Sequence, residues 1–348
     1  MSGLDAHVKP PTDLRNEFKR HQKATTASLD LAQDIFDPVR GSYGGFVEAP
    51  SANRALSMPI DLVEVVHHFM ETKSSTEPQS PIAGYEHPDL PGLYVFPSLL
   101  PSAVQISLLD RLFHRDASNT HHRTNLHLHY DLEYPSDHAL SFFDNTSSDI
   151  IHNPKDPHVH KSLPVSSMLR KKLRWITLGG QYDWSAKVYP TTEPPPFPPD
   201  IAALIDGIFP SMKAEAAILN LYSAGDTLSL HRDVSEFCNR PLASFSLGCD
   251  GLFLVGLSPS PNEPSKFATL RLRSGDIVVM SDESRFAWHG VPKILEGTCP
   301  DYLADWPCVA GSEDEQRFAN WKGWMAGKRI NLNVRQMYDG STSQSTGT

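Results

Sequence analysis

Hydrophobic and polar positions change their period along this 348-residue chain, and the change divides it in two. The first part carries helical spacing in separate pieces. Asp13 to Lys23 is a mixed-charge helix candidate that Thr12 or Asp13 can cap. Ile60 to Thr72 predicts a short helix, and Ser102 to Phe113 places Val104, Leu108, Leu109 and Leu112 on one helical face. The stretch from Arg40 to Ser57 is punctuated by Gly, Pro and Ser, and Lys73 to Pro81 lacks periodicity and reads as a linker. Asp116 to Pro164 is polar and rich in histidine. Leu173 to Leu178 then predicts a strand, Gly179-Gly180 a turn, and Glu193 to Pro199 a stiff polyproline spacer. The spacer leads through Asp200, as helix cap, into a helix over Ile201 to Phe209. From Ala216 to about Val334 the period falls to two, as short strands require. An insertion from Thr298 to Lys328 is expected to hold a helix over Glu313 to Ala326, and Gly340 to Thr348 to form a disordered tail.

The alternating part carries the chemistry. Four His-x-Asp triplets occur, at His87/Asp89, His114/Asp116, His129/Asp131 and His231/Asp233, so the triplet alone decides nothing among 16 histidines. Only the last lies in an alternating run, Leu-Ser-Leu-His-Arg-Asp, which would put His231 and Asp233 on one face of a strand. His289 follows 56 residues after Asp233, beyond the apolar strand Ile277 to Met280, where a double-stranded β-helix would return a third ligand to the first two. Gly290 beside it permits close backbone approach. Two histidines and one carboxylate form the metal face of non-haem Fe(II) oxygenases, with positions open for co-substrate and oxygen.

Arg329, Asn331 and Arg335 share parity and hence a strand face, opposite Ile330, Leu332 and Val334. Two arginines and an amide directed into one cavity call for an anion. A dicarboxylate such as 2-oxoglutarate supplies it, and a guanidinium fork suits a carboxylate. Asn220 and Tyr222 share a face one strand earlier and are candidates for the same ligand.

These motifs resemble those of AlkB-family Fe(II)/2-oxoglutarate dioxygenases. The matching stretches are Asn220 to Asp233, Leu242 to Gly248, Ser274 to Met280, Phe286 to Val291 and Arg329 to Arg335, within a region from about Gly92 to Tyr338. Asn333 stands where relatives often carry Thr. Leu173 to Trp184 and Ala214 to Tyr222 are most similar to the first eukaryotic AlkB homologue. The resemblance implies an α+β, mainly β fold: a double-stranded β-helix (jelly roll) with N-terminal helices and a long nucleotide-recognition lid. Residues 1–90 would form a helical or irregular extension and 91–338 the dioxygenase domain, with the lid at about 116–190, the β-helix core at about 216–335, and 339–348 the tail. It further implies that His231, Asp233 and His289 are catalytic iron ligands. Asn220, Tyr222, Arg329, Asn331 and Arg335 would serve 2-oxoglutarate, with Arg335 also orienting Asp233. O2 completes the cofactor set. The implied reaction is hydroxylation of an N-methyl group on adenine in tRNA or DNA, with release of formaldehyde.

Composition refines this picture. The net charge of −10 opposes indiscriminate nucleic-acid binding, yet Lys155 to Tyr189 holds seven Lys/Arg against two Asp/Glu. Arg170, Lys171, Lys172 and Arg174 are candidates for a phosphate track, and Trp175, Tyr182 and Trp184 for holding a flipped base. Cys238, Cys249, Cys299 and Cys308 show no paired spacing, so neither a disulfide frame nor a zinc site is expected. The histidines of the 116–160 region form no coherent ligand set. No membrane-length apolar run or signal segment appears, and a monomer in nucleus or cytoplasm is expected, with mitochondria left open. Two other readings stay open: an oxygenase acting on a protein or small molecule, and a non-catalytic nucleic-acid-binding scaffold. A double-strand lyase side activity is neither supported nor excluded.

Overall fold

The computed structural model describes residues 4–5, 7–49, 59–72, 83–184, 186–258, 263–308, 311 and 314–339. The linker and tail expected at Lys73 to Pro81 and Gly340 to Thr348 lie outside the described residues.

Ten strands build the site's scaffold: β1 (Leu90–Phe96), β2 (Trp175–Gly179), β3 (Ala216–Ser223), β4 (Leu228–His231), β5 (Leu242–Gly248), β6 (Gly251–Leu257), β7 (Lys266–Leu272), β8 (Ile277–Met280), β9 (Trp288–Ile294) and β10 (Lys328–Arg335). The larger sheet has eight strands, in the order Val47–Glu48, Tyr85–His87, β1, β8, β5, β10, β3, β2. The smaller has six: β4, β9, β6, β7, Ile35–Asp37 and Ser42–Tyr43. Pairing within them is antiparallel except where Ile35–Asp37 joins β7 in parallel. This is the jelly roll that the family resemblance implies, built from the strands that the alternation predicts.

The sheets divide their side chains by parity. On the larger sheet Ala217, Leu219, Leu221, Ile330, Leu332 and Val334 face a helical layer and join the main core. Helices Pro59–Met70, Ser102–Asp110 and Pro199–Ile208 build that layer. The opposite parity, together with Val255, Val291 and Phe253 from the smaller sheet, forms a second apolar cluster between the sheets. The polar residues of the site lie in that inner layer.

Several boundaries differ from the sequence reading. The first helix spans Thr12–Lys23, but Pro11 occupies the cap position and neither Thr12 nor Asp13 caps it. The Asp13 carboxylate instead accepts from the backbone N–H of Leu14 and of Ser265, on the smaller-sheet side. Asp200 likewise lies inside its helix, behind Pro198, and pairs with Arg111 and Arg115. The Ser102 helix runs to Asp110 and continues as a wider π-helical turn, Arg111–Asp116. The strand expected over Leu173 to Leu178 is shifted to Trp175–Gly179.

The helix expected over Glu313 to Ala326 is absent from its described residues, which hold two short 3-10 turns, Ala319–Trp321 and Met325–Gly327. Phe318, Trp321 and Trp324 recur at helical spacing, but Gly323 takes a left-handed φ of 77° and breaks the path. The segment expected to form the long lid meets the cavity near its C-terminal end. Of residues 116–190, only Tyr182, Trp184 and Lys187 line the inter-sheet cavity. Phe142, Phe143, Leu163, Val165, Met168 and Leu169 bind the rest of the segment into the main core.

Candidate active site

The strand β4 ends at His231, so Asp233 lies just beyond it instead of on it. The pairing still delivers the expected convergence. His231 stands directly opposite His289 in the β4–β9 ladder, with ring centroids 4.3 Å apart. Asp233 turns back toward both: its carboxylate oxygens lie 3.6 Å from His231 Nε2 and 4.0 Å from His289 Nε2. One donor atom from each residue falls within 4.8 Å of the others. Among the described residues no second such cluster occurs, including in the histidine-rich stretch.

The backbone settles which nitrogens are available. His231 Nδ1 donates to the Ser229 carbonyl at 3.0 Å, and His289 Nδ1 to the Ala287 carbonyl at 3.0 Å. A carbonyl only accepts, so each neutral ring carries its proton on Nδ1 and presents a bare Nε2 lone pair toward Asp233. Burial, with His231 close by, lowers the His289 pKa to about 4, which favours the neutral ligand form. Burial would raise the Asp233 carboxyl, but Arg335 and the two histidines outweigh it and hold the group well below the usual carboxylate range.

Two residues that the sequence reading missed complete the surroundings of Asp233. Arg335 Nη2 approaches Asp233 Oδ2 to 3.1 Å, an ion-pair contact whose direction is unsuited to a hydrogen bond. Arg335 Nη1 binds the buried Glu236 at 2.9 Å, and Arg285 binds the other Glu236 oxygen at 2.9 Å. Arg285 also donates to the Asp233 carbonyl at 2.9 Å. The four side chains form a buried quartet of two anions and two cations, a balance that makes such burial tolerable. The only sequence signal was position, Glu236 three residues after Asp233 and Arg285 four before His289.

The second half of the cavity is set by register. In β10, Arg329, Asn331 and Arg335 stand opposite Tyr222, Asn220 and Ala216 of β3, and opposite Gly248, Ser246 and Leu242 of β5. Arg329 is fully buried, and its Nη atoms donate to the Cys249 and Leu272 carbonyls and to Ser246 Oγ. It has no carboxylate hydrogen-bonded to it, and its Nε has no partner. Gly251 makes room for it, since a Cβ there would lie 2.7 Å from Arg329 Nε. Asn331 is anchored by Ser244 Oγ at 2.7 Å. The cavity has a volume of about 250 Å³, and Asn220, Tyr222, Arg329, Asn331 and Arg335 all line it with the His-Asp-His face.

Unpartnered buried atoms identify what the cavity fits. Asp233 Oδ2, His289 Nε2, Arg329 Nε and Asn333 Oδ1 are all buried without a hydrogen bond, and all belong to residues lining it. Such atoms are costly unless a ligand meets them. Two imidazole nitrogens and a carboxylate suit Fe(II), and a buried arginine with no carboxylate bonded to it suits a carboxylate.

The predicted substrate residues divide. Tyr182 and Trp184 line the mouth, in edge contact at 4.9 Å, and Trp175 lies 5.3 Å from Trp184. Arg170, Lys171, Lys172 and Arg174 are exposed beyond the cavity and touch none of it. Arg174 is already ion-paired with Asp226, and the Arg170 guanidinium lies over Trp321.

The family model for the 2OG-Fe(II) oxygenase superfamily matches residues 92–335, most of the chain and all of the site described above. The chain belongs to the 2OG-Fe(II) oxygenase superfamily. Its cofactor is therefore Fe(II), with 2-oxoglutarate and O2 as co-substrates. This oxygenase is 43% identical to a protein of Pyricularia oryzae named N6-methyladenosine RNA demethylase ALKB1, over 97% of this chain and 98% of that one. It is 50% identical to the N6-methyladenosine RNA demethylase ALKBH of Cryphonectria parasitica, over 62% of this chain and 100% of that one. It is 38% identical to the tRNA demethylase abh1 of Schizosaccharomyces pombe, over 71% and 79%. These AlkB-named relatives agree with the resemblance carried by the motifs.

Proposed function

We propose that this oxygenase removes the methyl group from N-methyladenine in single-stranded nucleic acid, RNA and tRNA foremost. The observation that carries the reading is the cavity mouth, where the His231–Asp233–His289 face opens onto Tyr182 and Trp184. A flat base turned out of its stack needs aromatic walls at that place. The names of the relatives in Pyricularia, Cryphonectria and Schizosaccharomyces support the same substrate class.

His231 Nε2, Asp233 and His289 Nε2 would hold the iron. Arg329 would pair with the distal carboxylate of 2-oxoglutarate, and Asn220, Tyr222 and Asn331 would shape its berth. With iron, 2-oxoglutarate and O2 bound, the site supplies oxidative hydroxylation of the N-methyl carbon, yielding succinate, CO2 and, on collapse of the hydroxymethyl product, formaldehyde. The chain's own task is placement. Arg335 and Arg285 fix Asp233, the backbone carbonyls of Ser229 and Ala287 fix the imidazole tautomers, and the apolar walls Leu228, Phe253 and Val291 keep bulk water away. Tyr182 and Trp184 would hold the base, while Arg170 to Arg174 would meet the flanking phosphates.

The test incubates purified protein with Fe(II), 2-oxoglutarate and total tRNA or methyladenine-containing RNA, and counts modified nucleosides by mass spectrometry. Iron-dependent loss of one methyladenine species, absent in His231→Ala, is expected. Succinate formation with every nucleoside intact would overturn the substrate and leave a protein or small molecule in its place.

A further inference from the structure

The cavity mouth continues into an aromatic wall whose far end has no role in the reaction outlined above. The wall begins at Trp175 and passes to Trp184 at 5.3 Å, to Tyr182 at 4.9 Å and to Tyr189 at 5.1 Å. Tyr189 packs with Met337 in a small cluster of its own, against which Tyr182 also rests. One residue beyond Met337, Tyr338 stacks on Phe237 with centroids 5.3 Å apart and planes 4° from parallel. Phe237 directly follows Ser235 and Glu236, which line the cavity. The stacked pair is thus joined to the cavity lining through both of its chain segments, with the buried Tyr189 and Met337 between it and Tyr182.

Its exposure is unusual for such a pair. Phe237 is 43% exposed and Tyr338 47%. Single exposed apolar side chains are ordinary on protein surfaces. Two rings held parallel are different, because each already covers one face of the other and both outer faces stay open. The backbone around them is fixed. Phe237 N–H donates to the Met337 carbonyl at 3.0 Å, and Glu215 accepts from the N–H of both Met337 and Tyr338, at 2.6 and 3.1 Å. Little conformational freedom remains to be lost when a flat ligand stacks on the pair. The nearby Arg240 is paired with Asp339 at 2.9 Å, so the platform offers a ring face with its adjacent charge balanced.

We propose that Phe237 and Tyr338 form a stacking platform for the nucleotide next to the methylated base in a single strand. This rests on the nucleic-acid reading of the cavity. Every base has a π-face, so such a platform binds single strands with little sequence preference, and it acts on chain substrates without touching the reacting methyl group. The basic run Arg170 to Arg174 directly precedes Trp175, at the other end of the aromatic series from the platform.

The test compares wild type with the double variant Phe237→Ala/Tyr338→Ala on two substrates: a short single-stranded methyladenine RNA and the free methyladenosine monophosphate. Loss of the platform is expected to raise KM for the RNA about tenfold, with kcat unchanged and the mononucleotide unaffected. Phe237→Tyr/Tyr338→Phe keeps the rings and should behave as wild type. Phe237→Leu/Tyr338→Leu keeps apolar bulk without a π-face and should resemble the alanine variant. Wild-type KM for RNA in the alanine or leucine variant would overturn the platform, as would an equal KM rise on the mononucleotide. Failure of wild type itself to demethylate the RNA would remove the substrate reading, and the platform with it.

Discussion

The Asp233 carboxylate is useful as a ligand only because its counter-charges are themselves balanced. Arg335 and Arg285 would otherwise leave an excess of positive charge around an incoming dication. Burial opposes the Arg335 charge, yet Asp233 and its neighbours outweigh that and push its pKa up, so Arg335 remains cationic. Glu236→Gln keeps the shape and removes the balance. Its affinity for Co(II) or Mn(II), read by titration in the absence of substrate, is expected to fall about tenfold or more. Glu236→Gln/Arg285→Gln should recover part of that loss; a double variant weaker than the single one would show that geometry, and not charge, dominates. Gly251 makes a second prediction. A methyl group there would press on Arg329 from 2.7 Å, so Gly251→Ala should raise KM for 2-oxoglutarate about tenfold while metal affinity is unchanged. The convergence of His231, Asp233 and His289 was legible because period-two alternation placed His231, and the return of His289 followed from strand order. Glu236 and Arg285 were not legible. Charged residues in polar loops read as solvated, and only tertiary packing shows that both are buried.

Among the elements, the strands were read well and the irregular pieces poorly, for one physical reason. Parity along β3, β5 and β10 is fixed by two buried faces, so any slip would exchange the Arg329–Asn331 lane for the Ile330–Leu332 lane. The 314–327 insertion has no such constraint. Trp324 instead sets its path by packing edge-on against Phe113 and Phe143 and donating its indole N–H to the Leu169 carbonyl at 3.1 Å. Trp324→Ala should cost about 3–5 kcal/mol in denaturant unfolding, with the metal face intact in whatever fraction stays folded. The first helix offers a pH test. Burial works against the Glu17 charge, but hydrogen bonds from His21 and Arg20 outweigh it and hold the pKa at about 2 instead of 4.5. A depressed carboxylate pKa contributes stability that is complete above pH 4.5 and lost as pH falls through about 2. The stability gap between wild type and Glu17→Gln, about 2 kcal/mol near neutrality, should therefore shrink between those limits. A gap that is constant with pH would sink this account.

At the scale of the whole molecule, an acidic protein that binds nucleic acid must do so through a local feature. If the four cations of the Arg170–Arg174 run make the phosphate contacts, log K for a single strand should fall against log salt with a slope of about −3 or shallower. A much steeper slope would require a basic surface elsewhere. The opposed histidines on β4 and β9 have a consequence of another kind. β4 is four residues long, forms the sheet's outer edge, and is zipped to β9 alone with a register shift between Leu228 and His231. A metal ion clasping His231 to His289 would act there as a rivet across the margin of the sheet. Chelation should therefore speed amide exchange at Leu230 and His231 long before it touches the β5–β10–β3 interior, turning a spent cofactor into a frayed edge while the fold stands.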